Sequence, residues 1–221
     1  MQKFETPAPV SAVLDIPAGS VRFIAADRAD TTVEVLPADA SRSRDTKAAE
    51  RTEVSYADGV LRIAAGVPAG RLSGPSGAVE ITVRLPAGSC VEGRADSAEL
   101  RGVGRLGDVA FEGAYRRIKI DEAASLRLTV TDGDVEVGRL GGSAEIRTAR
   151  GGIKVAEAVR GTVVLHTRSG DISVGVAAGV SAALDAGTDH GRVDNALRND
   201  GTIGLDVRAT TSRGDITARS L

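Results

Sequence analysis

The chain has 221 residues, a formal net charge of −2, three Phe, two Tyr and no Trp. This length suits one β-rich domain or two small ones, with enough sequence to bury a core. The charge argues against nucleic acid or an anionic membrane as a bulk electrostatic partner, and the few aromatic side chains argue against single-strand binding by base stacking. No segment has the apolar length of a signal peptide or a membrane span, which predicts a cytoplasmic protein, with the cell surface as the alternative.

Alternating apolar residues predict strands in the N-terminal third. The alternation has the period of two that is typical of a strand with one buried face. The polar stretch 40–51 is the single segment with a possible helical period. The predicted strands occupy residues 10–16, 20–25 and 32–36.

Two turn signals follow this region. Residues 52–65 predict a hairpin around Asp58-Gly59, because this dipeptide suits a tight primed turn. A Gly-, Pro- and Ser-rich segment at 66–78 predicts a mobile loop. The strand 79–88 then leads into the rest of the chain.

Segments built around a common glycine repeat through the remaining sequence. "RTARGGIKV", "HTRSGDISV" and "TTSRGDITA" align with their glycines in register, an apolar residue two places later and a threonine three places earlier. Each unit predicts a strand, a glycine turn, a short strand and a second turn. The aligned residues are Gly107, Gly133, Gly151, Gly170, Gly191 and Gly214, which lie 18 to 26 residues apart, and Thr148, Thr167, Thr188 and Thr211.

These repeats predict the fold class. A single unit cannot bury its apolar face alone, so neighbouring units must stack and share a narrow core. We predict an all-β protein, an irregular parallel β-solenoid with an N-terminal β-cap; a twisted β-sandwich is the alternative. The cap is assigned to residues 1–92 and the solenoid to residues 93–221, as one continuous structural unit. The glycines are expected to supply a positive φ, and the threonine hydroxyls are expected to bond backbone groups of the turns.

The sequence resembles a bacterial family of β-strand-repeat domains of unknown function that are labelled putative adhesins. The resemblance rests on "VEITVRLPAG" at 79–88, on "LDIPAGSVRFIAA" at 14–26, and on the T-x-x-G-[DG]-[IV]-x-[VA] units at 148–155, 167–174 and 211–218. It covers most of the chain and implies a β-helix-like repeat with a role in adhesion or at the envelope. It implies no catalytic residues.

The position after each repeat glycine is the best candidate for chemistry. Stacked carboxylates there could bind a cation or perform acid–base catalysis, but Gly152 separates Asp134 from Asp171 by two coils, about 10 Å. This exceeds the separation of about 6.5–9.5 Å used by inverting glycosidases. One carboxylate per coil also supplies too few oxygens for calcium. We therefore predict a surface charge ladder, with Arg192 between Asp171 and Asp215. The complete series is Asp108, Asp134, Gly152, Asp171, Arg192 and Asp215.

The other reactive residue types give no stronger signal. His166 and His190 fall at different positions of their repeats, so they do not predict a zinc site. Cys90 is interpreted as a small apolar filler beside a strand. The tripeptide Arg213-Gly214-Asp215 occupies the repeat's turn position, and we interpret it as a turn and not as a receptor-binding motif. No metal or cofactor is predicted.

These observations predict a non-enzymatic interaction or scaffold domain, resembling putative adhesins, that binds an unidentified protein or polysaccharide. Nucleic acid and membrane insertion are not expected. The alternatives are a carbohydrate-active enzyme on a β-helix and a polymerising scaffold that resembles bactofilins. A catalytic carboxylate pair and aromatic sugar platforms would indicate the enzyme. The oligomeric state is not indicated by the sequence.

Overall fold

The computed structural model describes residues 1–66, 77–113 and 117–221. Within them the chain forms 17 strands and one short helix, so the predicted all-β class is confirmed. The predicted loop at 66–78 lies, except for its ends, outside the described residues. The elements are β1 (Gln2–Glu5), β2 (Ser11–Ala26), β3 (Asp30–Pro37), α1 (Ser43–Arg51), β4 (Thr52–Ala57), β5 (Val60–Ala65), β6 (Val79–Pro86), β7 (Cys90–Glu112), β8 (Ile118–Asp132), β9 (Val135–Leu140), β10 (Ala144–Arg150), β11 (Ile153–Ala158), β12 (Gly161–Ser169), β13 (Ile172–Val176), β14 (Ala182–His190), β15 (Val193–Ala196), β16 (Leu205–Arg213) and β17 (Ile216–Ser220).

The strands form two layers that enclose one apolar core. Layer A runs through β4, β5, the first halves of β2 and β7, the second halves of β7 and β8, and then β10, β12, β16 and β14. Layer B runs through β1, β3, β6, the second half of β2, the middle of β7, the first half of β8, and then β9, β11, β13, β17 and β15. The long strands β2, β7 and β8 pass from one layer to the other, which makes the fold a parallel β-solenoid.

The core follows from the alternation in the sequence. In β12, Val163, Leu165 and Thr167 are buried, whereas the residues between them lie toward solvent. The β11 residues Ile153 and Val155 are buried from the opposite layer and belong to the same core cluster. Small and β-branched side chains suit such a thin core, because each coil contributes only a few inward positions per layer.

The N-terminal region closes one end of the solenoid with antiparallel strands. The predicted hairpin is confirmed: β4 and β5 pair antiparallel, and Asp58 and Gly59 have φ values of 50° and 79°. The ring of Phe4 in β1 lies 5.6 Å from that of Tyr56 in β4, which joins the outermost strands of the two layers. The cap and the repeats are continuous, because β7 passes through the boundary between residues 92 and 93 and pairs with β2 along most of its length.

The coils do not stack in the order of the sequence at the C-terminal end. The strands β16 and β17 lie between β12–β13 on one side and β14–β15 on the other, with parallel pairing throughout. We call residues 205–220 the inserted coil and residues 182–196 the outer coil. The outer coil is the last one of the solenoid, and its Val193 is 45% exposed.

Candidate functional site

The repeat glycines stack at one edge of the solenoid, where the chain passes from layer A to layer B; we call this the glycine edge. Gly133, Gly151, Gly170 and Gly214 have φ values of 135°, 123°, 151° and 145°, a range that L side chains rarely adopt. Each of the last three also faces the carbonyl of the glycine before it in the stack, and a Cβ would collide with that oxygen. Glycine is therefore required here for two reasons, backbone conformation and close approach.

Two of the six predicted glycines differ from this pattern. Gly191, in the outer coil, faces the Gly214 carbonyl, but its φ lies outside the left-handed range. Gly107 lies at the opposite edge, where its N–H donates to the carbonyl of Ser89 at 2.8 Å. A glycine at the glycine edge that the alignment missed is Gly113, with φ 105°. Gly113 lies 20 residues before Gly133, which is within the spacing of the aligned glycines, and this spacing could have identified it as a repeat glycine.

The threonines hold successive coils together at the glycine edge. The Thr167 hydroxyl donates to the carbonyl of Gly151 at 3.0 Å, and the Thr211 hydroxyl donates to the carbonyl of Gly170 at 3.1 Å. Thr188 donates in the same way to the carbonyl of Gly214 at 3.0 Å. Each bond joins a threonine of one coil to the turn of the coil before it in the stack. Thr148 makes a different bond, to the carbonyl of Arg150 in its own coil, at 3.0 Å.

The turn aspartates form a second set of bonds between coils. Asp134 accepts a hydrogen bond from the N–H of Gly152 at 2.8 Å, and Asp171 accepts one from the N–H of Asp215 at 2.8 Å. Asp215 in turn accepts from the N–H of Arg192 at 2.9 Å. Asp108 lies, like Gly107 before it, at the edge opposite the glycine edge. It accepts a hydrogen bond from the Ser125 hydroxyl at 2.6 Å.

The order of the coils changes the predicted charge ladder. The sequence predicts Arg192 between Asp171 and Asp215, but the inserted coil places Asp215 next to Asp171 and leaves Arg192 on the outside. Aspartates on adjacent coils are about 5 Å apart along the stack, within the range of a retaining glycosidase pair. Both carboxylates accept a hydrogen bond from the turn of the next coil, so each has a structural role in the stack.

The pKa of Asp215 is shifted in the direction that opposes acid catalysis. The backbone N–H of Arg192, followed by its guanidinium at 3.2 Å, lowers the pKa of the Asp215 carboxyl below its ordinary value. A general acid in a glycosidase needs a raised pKa so that it holds a proton near neutral pH. The lowered pKa therefore keeps Asp215 ionised near neutral pH, where it accepts the hydrogen bonds of Arg192.

The remaining candidates lie apart from one another. The ring Nδ1 of His166 is hydrogen-bonded to the Thr210 hydroxyl on the outer surface of layer A at 2.8 Å, whereas His190 is exposed at the end of β14. Cys90 is half-buried and unpaired at the edge opposite the glycine edge. Across the described parts of the chain, no three His, Cys, Asp or Glu side chains are placed to bind a metal ion. The helix of the described chain is too short and polar to cross a membrane.

The outward surface of layer A carries the site that the sequence did not indicate. A shallow groove of about 560 Å³ runs along the glycine edge, over the ends of β8, β10, β12 and β16. Three arginines line it, Arg150, Arg168 and Arg213, together with hydroxyl side chains. Arg150 and Arg213 occupy the same position of the repeat, directly before the glycine, whereas Arg168 lies one position earlier, so no single column of the alignment contains all three.

The fold and its turns define a class of protein: a parallel β-repeat domain whose recurring residues stabilise its stacked coils. The chain belongs to the Toastrack DUF4097 family, whose model matches residues 13–219. The family resemblance inferred from the sequence is thereby confirmed.

Two solved structures are similar to this chain over nearly their whole length. One is described as a putative cell adhesion protein from Clostridium sporogenes, with 12% identity and a TM-score of 0.42, covering 100% of this chain and 98% of the other. The second is described as a putative adhesin from Bacteroides fragilis, with 10% identity and a TM-score of 0.49, covering 98% of this chain and 95% of the other. No curated protein matches the sequence.

Proposed function

We propose that this chain is a non-enzymatic interaction domain that binds a protein or polysaccharide partner along the outer surface of layer A. The observation that carries the proposal is the parallel register of β8, β10, β12 and β16, which aligns polar outward side chains in rows across four coils. In one such row, Thr129, Arg147, His166 and Thr210 follow one another on neighbouring strands. Rows of this kind present a flat, preorganised surface to an extended partner.

The use of the turn carboxylates supports a binding role over an enzymatic one. Asp134, Asp171 and Asp215 each accept a backbone N–H from the adjacent coil, so their charges stabilise the stack. The best-placed pair of carboxylates is thus occupied in holding the fold together. The proposed role is consistent with the descriptions of the two solved structures, although these belong to other proteins.

The two ends of the solenoid support a domain that does not polymerise. The N-terminal end has antiparallel strands and α1, and Phe4 and Tyr56 join its outermost strands. The C-terminal end is the parallel outer coil, with Asp185 and Asp194 on its strands. Charged side chains on outermost strands discourage edge-to-edge pairing. The two aspartates therefore disfavour growth from the C-terminal end.

The test combines binding with hydrogen exchange on the full chain. The protein is presented to charged and uncharged polysaccharides and to bacterial surface proteins, and deuterium uptake is compared with and without each ligand that binds. We expect reduced uptake in β10, β12 and β16, with little change in β11, β13 and β17 of layer B. Release of new reducing ends from a bound polysaccharide, or protection confined to layer B, would contradict the proposal.

A further inference from the structure

We infer that the groove at the glycine edge of layer A binds a linear anionic polysaccharide through Arg150, Arg168 and Arg213. This inference rests on the proposed function and specifies the chemistry of the partner. It starts from the concentration of positive charge in one place on a chain whose formal net charge is −2.

The register of the strands brings the three arginines together. Arg150 pairs with Ser169 across β10 and β12, and Ser169 pairs with Arg213 across β12 and β16. Arg168 immediately precedes Ser169, so the middle coil contributes its own guanidinium. Neighbouring strands are about 4.8 Å apart, which places the backbones of Arg150 and Arg213 about 10 Å apart. Three cations thus lie along one groove at successive coils.

Two of these cations have no partner in the described part of the chain. Arg150 forms an ion pair with Asp132 at 3.0 Å, which fixes its position while leaving other guanidinium N–H groups for a ligand. Neither Arg168 nor Arg213 has a carboxylate within ion-pair distance among residues 1–66, 77–113 and 117–221. The described lining of the groove contains no acidic residue. The described lining therefore carries three guanidinium groups, of which Asp132 pairs with one and two are available to an anion.

The rest of the lining favours a sugar polymer over a protein or nucleic acid. Thr131, Ser169 and Ser212 supply hydroxyls that can exchange hydrogen bonds with sugar hydroxyls. Arginine matches carboxylate and sulfate groups with two parallel N–H bonds. The described lining has Ala149 as its apolar side chain and no aromatic one. A protein interface would need a larger buried anchor, and single-stranded nucleic acid would need aromatic rings for base stacking.

The groove also gives Arg213 a role that differs from receptor recognition through Arg-Gly-Asp. In that tripeptide the Asp215 carboxylate is already bound by the N–H and the guanidinium of Arg192. Arg213, by contrast, is exposed and lines the groove. The arginine is therefore available to a ligand, whereas the aspartate serves the turn.

Titration calorimetry with polygalacturonate and with heparin tests the inference on the full chain at about 50 mM salt, where electrostatic contacts are weakly screened. The test variant is Arg168→Gln/Arg213→Gln. The control is Lys154→Gln/Arg219→Gln, which removes the same charge from two exposed positions on the outer surface of layer B. Thermal melting of both variants checks that they fold. Dextran and polyglutamate are the uncharged and the polypeptide comparisons.

We expect wild-type protein to bind at least one of the two anionic polysaccharides, and the test variant to lose at least about tenfold in affinity, since two charge-assisted contacts are removed. The control should stay within about twofold of wild type. Equal weakening by both variants, equal or tighter binding of polyglutamate, or no binding to either anionic polysaccharide would overturn the inference. Binding of dextran alone would also overturn it, yet would leave the proposed interaction function standing.

Discussion

Asp171 accepts a hydrogen bond from the backbone N–H of Asp215 at 2.8 Å, although 44 residues separate them in the sequence. The bond exists because the inserted coil lies directly against β12 and β13. The outer coil follows β13 in the sequence, but it lies on the far side of the inserted coil. Stability near the C-terminus should therefore follow the spatial order of the coils. This relationship leads to the first of four predictions.

Hydrogen exchange should be slower in β16 than in β14. The inserted coil has a paired strand on each side, whereas β14 has β16 on one side and no further strand on the other within the described chain. Strands at a sheet edge open locally at lower free energy than interior strands. Deuterium uptake measured for individual peptides should show that β16 is protected as strongly as β12. Faster uptake in β16 than in β14 would contradict the observed order of the coils.

Gly170→Val should destabilise the protein by more than about 3 kcal/mol, because it adds a collision with a backbone carbonyl to a strained φ. The φ of Gly170 is 151°, and a Cβ there meets the carbonyl of Gly151. The matched control is Gly187→Val, since a Cβ on Gly187 has open space around it. That substitution should change the free energy of unfolding by less than about 1 kcal/mol. Denaturant titrations of the two variants give the comparison, and similar losses in both would refute this explanation of Gly170.

Thr167→Val should lower stability by about 1 kcal/mol, the usual net value of one hydrogen bond, because valine keeps the shape but not the hydroxyl that binds the Gly151 carbonyl. Thr217→Val provides the comparison. Thr217 lies on an outward position of β17, and its hydroxyl makes no hydrogen bond within the described structure. Its replacement should cost less than about 0.5 kcal/mol. Chemical unfolding gives the loss of stability in each variant, and equal losses at the two sites would contradict a stabilising bond between the coils.

The contribution of Asp215 to stability should depend on pH. Its pKa is lowered in the folded state, first by the backbone N–H of Arg192 and then by the Arg192 guanidinium. A lowered folded-state pKa contributes stability above the unfolded value, about 4, and this contribution is lost as the pH falls through the folded value. Wild type should therefore exceed Asp215→Asn in stability near neutral pH, and the difference should shrink below about pH 4.

Urea unfolding midpoints measured across this pH range test the prediction. Asp194→Asn is the control, because Asp194 lies in the outer coil without a hydrogen bond or ion pair from its side chain in the described structure. Near neutral pH this substitution should cost less stability than Asp215→Asn, because it removes no hydrogen bond or ion pair of the described structure. A difference between wild type and Asp215→Asn that does not change with pH would argue against the inferred bonding to Arg192.

The sequence was most informative where one physical requirement recurs in several coils. Gly151, Gly170 and Gly214 share a turn that excludes side chains, and Thr167 and Thr211 share a bond to the preceding turn. Recurrence of this kind produces an alignment that identifies both the strands and the turns. Gly107 was aligned with them because its neighbours show the same alternation, although it lies at the opposite edge.

The order of the last coils could not be predicted from the same pattern. β14 and β12 pair with β16 in the same register, so that Thr167 and Thr188 both align with Thr211. The local sequence therefore fits either stacking order. The repeat alignment also did not predict the arginine groove. Arg150 and Arg213 share one alignment position with Ser169, whereas Arg168 lies one position earlier, so the three arginines do not form one column.

The inserted coil also determines when the C-terminal third can fold during synthesis. Ribosomes deliver residues 182–196 before residues 205–220, yet the outer coil pairs with the inserted coil and with no earlier strand among the described ones. Its final position therefore does not exist until residues 205–220 have been made, and β12 and β13 obtain their second neighbouring strands from the same segment. Unlike a repeat array that grows coil by coil from its N-terminus, this array can dock its outer coil only after residues 205–220 have been synthesised.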